Sequence, residues 1–166
     1  MKETTEKEAL NKLAALCSRG EHCSHDMLAK MERWGLAAEA QARVMQQLVA
    51  GRYVDDLRYA KAFALDKVRY DRWGRRKVEQ ALWAKHIDDD LREAALDGIA
   101  DEEYVKALRP LLQSKRRSVK GGSDYERRTK LVRFALGRGF GMDIIRQCLD
   151  GADDMDDGDF DDDSVE

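Results

Sequence analysis

Apolar residues recur at helical spacing along almost the whole chain, and the strict alternation of a half-buried strand is nearly absent. Leu10, Leu13, Ala14 and Cys17 share one face of a segment from about Glu6 to Ser18. Met27, Leu28 and Met31 mark a second helix, with Ser24 as its N-cap and its end near Gly35. Ala40, Val44, Met45 and Leu48 mark a third, over about Ala37–Val49. The rhythm then restarts. Asp55 or Asp56 caps a helix carrying Tyr59, Ala60 and Phe63, a second follows near Arg75–Lys85, and another begins after Asp88-Asp89. A longer helix is expected over about Asp101–Val119, with a kink or restart at Pro110. After a loop at Gly121-Gly122-Ser123 come helices over about Asp124–Leu136 and Met142–Leu149.

The pattern is a repeat. Trp34-Gly35-Leu36, Lys85-His86-Ile87 and Arg138-Gly139-Phe140 lie 51 and 53 residues apart. With these turns superposed, apolar columns fall into register: Met27/Val78/Leu131, Met31/Leu82/Ala135, Leu36/Ile87/Phe140, Ala40/Leu91/Ile144 and Met45/Leu96/Leu149. Self-similarity at a fixed period marks units that bury their apolar faces partly against their neighbours. A lone unit of about 50 residues is marginal, because too much of its surface stays wet. The expected architecture is all-α: three tandem three-helix repeats of helix-turn-helix character over 1–54, 55–100 and 101–150.

Composition sharpens this picture in two places. Of 166 residues, 43% are hydrophobic and 38% charged, with one proline, as befits a soluble helical protein. No apolar stretch approaches the roughly 18 residues of a membrane span, and the N-terminus lacks the apolar core of a signal peptide. Three cysteines, an odd number, favour reduced thiols in a cytoplasmic chain. Second, the net charge of −3 conceals a division. Residues 150–166 hold ten acids and no base, whereas 105–149 hold 12 basic residues against 3 acidic ones. The segment 151–166 lacks the apolar content to offset its own ordering entropy, and is expected to be a disordered acidic tail. Its proximity to a segment of charge +9 predicts that it covers the basic surface of 115–138.

No enzyme signature survives inspection. There is no phosphate loop of the Gly-x4-Gly-Lys-Ser/Thr type. Gly137-Arg138-Gly139-Phe140-Gly141 follows a helix rather than a strand, so it reads as a glycine C-cap and not as a nucleotide-binding turn. Cys17, His22, Cys23 and His25 match no usual zinc spacing, and are assigned to core and turn roles. Asp88-Asp89-Asp90 and Asp101-Glu102-Glu103 sit at helix starts, where acids complement the macrodipole. No metal and no cofactor is expected.

The cations carry the functional signal. Arg69, Arg72, Arg75, Arg76 and Lys77 straddle one turn, with Tyr70 and Trp73 interleaved. Four of them crowd a helix start, where positive charge opposes the macrodipole. Lys115, Arg116, Arg117 and Lys120 precede Arg127, Arg128, Lys130, Arg133 and Arg138. Such density fits a polyanion or an acidic protein surface.

Three stretches carry a family resemblance. They are Asp56-Leu57-Arg58-Tyr59-Ala60-Lys61-Ala62-Phe63, then Trp73-Gly74-Arg75-Arg76-Lys77-Val78-Glu79-Gln80-Ala81-Leu82 with Lys85-His86-Ile87, then Lys130-Leu131-Val132-Arg133-Phe134-Ala135-Leu136 with Arg138-Gly139-Phe140 and Ile144. In their order and spacing the chain resembles the RecX family of bacterial regulators over about residues 6–150. His86 stands where that family commonly has glycine, and the aspartate tail lies outside its pattern. The resemblance implies tandem three-helix repeats in an elongated, curved arrangement, and a non-enzymatic role. The implied partner is the RecA recombinase filament, with single-stranded DNA within or beside it, and no membrane. The expected protein is a monomer that modulates, mostly suppressing, recombinase ATPase and strand exchange in DNA repair and recombination. By position, Arg69, Arg72, Arg75, Arg76, Lys77, Arg127, Arg128, Lys130, Arg133 and Arg138 are the expected contacts. The competing readings are a direct DNA binder built from helix-turn-helix-like units, and a helical scaffold with no nucleic-acid role.

Overall fold

A computed structural model describes the backbone of residues 4–155 and the side chains of 4–150. Its described residues are helical throughout, in nine elements joined by short turns: α1 Glu6–Arg19, α2 Ser24–Arg33, α3 Ala38–Ala50, α4 Asp56–Arg69, α5 Arg75–Ala84, α6 Asp89–Asp97, α7 Asp101–Ser118, α8 Asp124–Gly137 and α9 Met142–Met155. The tail expected to be disordered lies outside the described residues from 156 on. Over 151–155 the backbone continues α9 past the end that apolar spacing marks at Leu149.

The repeat is a repeat of helix endings. At the close of α2, Leu36 N–H donates to Met31 O and Gly35 N–H to Glu32 O. At the close of α5, Ile87 N–H donates to Leu82 O and His86 N–H to Trp83 O. At the close of α8, Phe140 N–H donates to Ala135 O and Gly139 N–H to Leu136 O. Each pair is the double bond of a Schellman cap, which places one residue in the left-handed region and brings the next apolar residue onto the last turn. The left-handed residues are Gly35 at φ 79°, His86 at 58° and Gly139 at 94°. The columns Met31/Leu82/Ala135 and Leu36/Ile87/Phe140 are therefore the two apolar ends of one capping motif, and all six side chains are buried. Met27, Val78 and Leu131 are buried as well, while Ala40, Leu91 and Met45 are only partly so.

The helices form two compact units. The first holds residues up to Ala64 together with Gln80–Gly98; the second holds Leu65–Glu79 and the described residues from Ile99 on. In the first, α3 packs on α1 and α2 around Ala9, Leu13, Met27, Met31, Leu36, Val44, Leu48 and Val54. Two carboxylates divide the capping work there. Asp55 accepts from Arg58 N–H at 3.0 Å and caps its own helix, while Asp56 reaches back to accept from Ser24 N–H at 2.8 Å. Ser24 is thus the first helical residue of α2 and not its cap: the cap position is Cys23, and the amide is satisfied by a carboxylate 32 residues away. Gln41, buried and polar, donates to Leu36 O at 2.9 Å and to Glu32 at 3.0 Å.

In the second unit, α7 packs on α9 and α8, with Tyr104, Leu108, Leu112, Leu131, Ile144, Ile145 and Leu149 buried. α7 does not restart at Pro110. The proline is exposed, and Val105, Leu108 and Leu112 anchor the helix on both sides of it through the buried face. Ser123 caps α8 by accepting from Glu126 N–H at 3.2 Å.

Candidate partner-binding site

The basic cluster at the start of α5 opposes the helix dipole in sequence but is compensated in structure. The carbonyl-bearing end of α8 docks on it. Gly74 N–H donates to Arg138 O at 2.9 Å and Arg76 N–H to Gly139 O at 3.1 Å. The negative end of one helix thus supplies the missing caps of another and faces its positive end and its cations. Docking this close requires two glycines. A Cβ on Gly74 would lie 2.2 Å from the Gly139 carbonyl carbon and the Phe140 nitrogen, and one on Gly139 would lie 2.6 Å from Lys77 N. The guanidinium of Arg138 closes the junction, donating to Asp71 O at 2.6 Å and Arg72 O at 3.2 Å.

This geometry sorts the ten expected contact residues. Arg138 is a clamp, its guanidinium turned to main-chain carbonyls. Arg69 grips Glu103 through two bonds, of 2.7 and 3.2 Å, and that guanidinium holds the Glu103 carboxyl below its ordinary range. Arg127 binds Gly121 O at 2.9 Å and pairs with Asp124, closing the loop before α8. Arg128 pairs with Asp150 at 2.9 Å. Lys130 donates to Lys120 O. Lys77 sits 4.7 Å from the centre of the Trp73 ring, which Lys67 approaches at 5.0 Å. Arg75 and Arg76 are exposed on the first turn of α5, Arg133 is exposed on α8, and Arg72 is half-buried in the left-handed region at φ 56°. Among the described residues, the guanidinium groups of Arg72, Arg76 and Arg133 make no hydrogen bond or ion pair.

Beside these cations stand uncovered aromatics. Tyr70 is 76% exposed and Tyr125 80%, against 0–9% for the residues of the core. Between the end of α7 and α8 lies a shallow groove of about 560 Å³, lined by Lys115, Lys120, Lys130 and Arg133, with Phe134 in its floor. Sequence reading included Lys130 and Arg133 among the contacts but not the groove. Its signal was available, since Lys115 and Phe134 belong to the same basic, aromatic-bearing stretch.

The three thiols are held in their protonated form by burial. Burial pushes Cys23 up to about 11 and raises Cys17 and Cys148 above the ordinary thiol value, so all three stay protonated near neutrality. Among the described residues, no group of histidine, cysteine and acidic side chains has the arrangement of a metal site. His25 instead stacks on His86, with ring centres 4.0 Å apart. No helix of the described residues is long and apolar enough to cross a membrane.

The same elements recur in known proteins. A family model described as the second three-helix domain of RecX matches residues 55–96, and one described as the third matches 101–149. A protein of Prosthecochloris aestuarii named regulatory protein RecX is 30% identical over 151 residues, covering 90% of this chain and 97% of that one. The chain belongs to the RecX family. A Clostridium botulinum regulatory protein RecX is 32% identical over 122 residues, 72% of this chain and 57% of its own longer one. The crystal structure of RecX from Lactobacillus salivarius shares the fold, with a TM-score of 0.80 at 20% identity over 89% of this chain and 96% of that one. Two of the three capped turns that define the repeat here, at the ends of α5 and α8, lie inside the two matched RecX domains.

Proposed function

We propose that this RecX-family chain is a non-enzymatic regulator of the RecA recombinase in DNA repair and recombination. It binds the recombinase filament on DNA and lowers its ATPase and strand exchange. The observation that carries the reading is the set Arg72, Arg76 and Arg133, cations with no internal partner among the described residues, in a chain whose relatives are regulatory proteins. Cations committed to internal bonds contribute little to a partner, because breaking those bonds offsets the new contacts. The working contacts are therefore Arg72 and Arg76 around the start of α5, and Arg133 on α8. Arg69, Arg127 and Arg138 hold the surface in shape. Weak contacts spread over several helices add through avidity on a filament, where one strong site is unnecessary.

The test is the single-stranded-DNA-dependent ATPase of the cognate recombinase, with and without this protein. Inhibition at substoichiometric to equimolar ratios is expected, together with no nucleotide hydrolysis by the protein alone. An unchanged ATPase across that range removes the reading. The groove beside Phe134 favours one competitor, direct binding of a nucleic-acid strand. Steeply salt-dependent DNA binding without any response of the recombinase would establish that competitor.

A further inference from the structure

The groove between the end of α7 and α8 is lined by four cations and by no acidic side chain. Lys115 Nζ lies 5.2 Å from the centre of the Phe134 ring, so charge and an apolar floor occur together. Its ligand must be anionic, extended enough to meet four cations, and able to place an apolar group on the ring. One segment of this same chain has that chemistry. Residues 156–166 carry six aspartates and Glu166, with Phe160 near their centre and no base.

The attachment point favours the match. Asp150, the first acid of the acidic stretch, already pairs at 2.9 Å with Arg128 of α8, so the stretch begins beside the helix that forms one wall of the groove. Arg128 and Arg133 are five residues apart on that helix, about 7.5 Å along its axis at 1.5 Å per residue. The five residues to Met155 continue α9 for about 7.5 Å, and the eleven beyond it can reach about 36 Å at about 3.3 Å each, several times the distance along α8. Tethering supplies an effective concentration on the order of millimolar, enough for a weak charge-driven contact to be well populated.

We propose that the groove of Lys115, Lys120, Lys130, Arg133 and Phe134 is a binding site for an acidic peptide, and that its resident ligand is the chain's own segment 156–166. The segment screens the most basic surface of the protein from other polyanions until one with higher charge density displaces it. This regulation needs no recombinase, so it stands or falls apart from the ATPase result.

Zero-length carbodiimide cross-linking of the full chain, mapped by mass spectrometry, tests the contact. Isopeptide bonds from Lys115, Lys120 or Lys130 to acids of 156–166 are expected within the monomer band at low salt, and should fade at about 0.5 M salt, where the Debye length falls below about 5 Å. Their absence, their presence only in a dimer band, or an even spread to Lys7, Lys12 and Lys61 overturns the proposal. Truncation after Met155 leaves every described residue in place and tests the screening. Affinity for an oligothymidylate probe should rise about five- to tenfold at low salt, from a millimolar effective concentration acting on a contact of about 0.1–0.2 mM. In a background carrying Lys120→Gln, Lys130→Gln and Arg133→Gln, truncation should change affinity less than about twofold. Identical curves for the full and truncated chains overturn the screening.

Discussion

Replacing Gly74 by alanine should damage the molecule far more than a one-methyl change on a loop usually does. The added Cβ would lie 2.2 Å from two main-chain atoms of the Gly139–Phe140 peptide and 2.4 Å from Gly139 O, where ordinary contact begins at 3.4 Å. Neither backbone can yield cheaply. Gly74 and Arg76 are bonded to that same turn at 2.9 and 3.1 Å, and Arg138 ties it again to Asp71 and Arg72. Relief needs a separation of about 1 Å, at an overpacking cost of about 1–3 kcal/mol. The loss of two main-chain hydrogen bonds adds about 1 kcal/mol each, for a total of about 3–5 kcal/mol. Three further glycines separate sterics from backbone strain. Gly139→Ala meets both, with φ 94° and 2.6 Å contacts to Lys77, and should cost at least as much. Gly35→Ala has φ 79° with nothing within 4 Å, so it should cost only the left-handed penalty of about 1–2 kcal/mol. Gly20→Ala lies in open space on extended backbone at φ 177° and should fall within about 0.5 kcal/mol of the parent. Urea unfolding followed by circular dichroism gives the four midpoints; at unchanged slope, Gly74→Ala should unfold about 1–2 M earlier. A Gly74→Ala midpoint equal to that of Gly20→Ala would refute the close approach of α5 and the α8 turn.

Two further outcomes follow from the same physics. His86 occupies a left-handed position held by glycine in the other two repeats, and its stack on His25 offsets part of that strain. His86→Gly should therefore stabilise by about 0.5 kcal/mol while His86→Ala destabilises by about 0.5–1 kcal/mol, both read from urea midpoints; destabilisation by both would show the stack to dominate. Burial raises Cys23 to about 11 and pushes Tyr59, Cys17 and Cys148 upward too, so the unfolded chain loses these protons first. Stability should be full below about pH 8.5 and fall as pH rises toward 11, with Cys23→Ala flattening that fall by on the order of 1–2 kcal/mol; an unchanged slope refutes the assignment.

The fold was legible because its repeat is carried by local chemistry. A helix end, a left-handed residue and an apolar side chain folded back on the last turn all fall within six residues, so Met31-to-Leu36, Leu82-to-Ile87 and Ala135-to-Phe140 announce themselves in the sequence. The start of α8 was legible because its cap, Ser123, is local; at α2 the start was legible to within a residue but the cap was misassigned to Ser24, because the carboxylate that serves that amide comes from Asp56. Of the two outcomes Pro110 allowed, a kink or a restart, the continuous α7 excludes the restart. The proline's effect on α7 depends on whether the ring faces solvent or the core, which is a property of packing and not of the residue.

The candidate site was legible only as a density of charge, and the reason is physical. An arginine presents the same five donors whether it serves a carbonyl of its own chain or a partner's phosphate. Arg133 and Arg138 are five residues apart in one basic stretch, yet one projects unpaired from α8 while the other clamps Asp71 and Arg72 across 66 residues of sequence. Only the second has carbonyl partners at bonding distance, and a sequence holds no record of those. The consequence for binding is direct. Charge-reversal of Arg138 should unfold the α5–α8 junction and abolish partner binding without showing a contact. Reversal of Arg76 and Arg133, whose side chains support nothing among the described residues, should leave helicity and urea midpoint intact and weaken filament binding alone. If the second pair leaves binding unaltered, the unpaired cations are merely a solvated face, and the partner surface has to be sought among the exposed aromatics, Tyr70 and Tyr125.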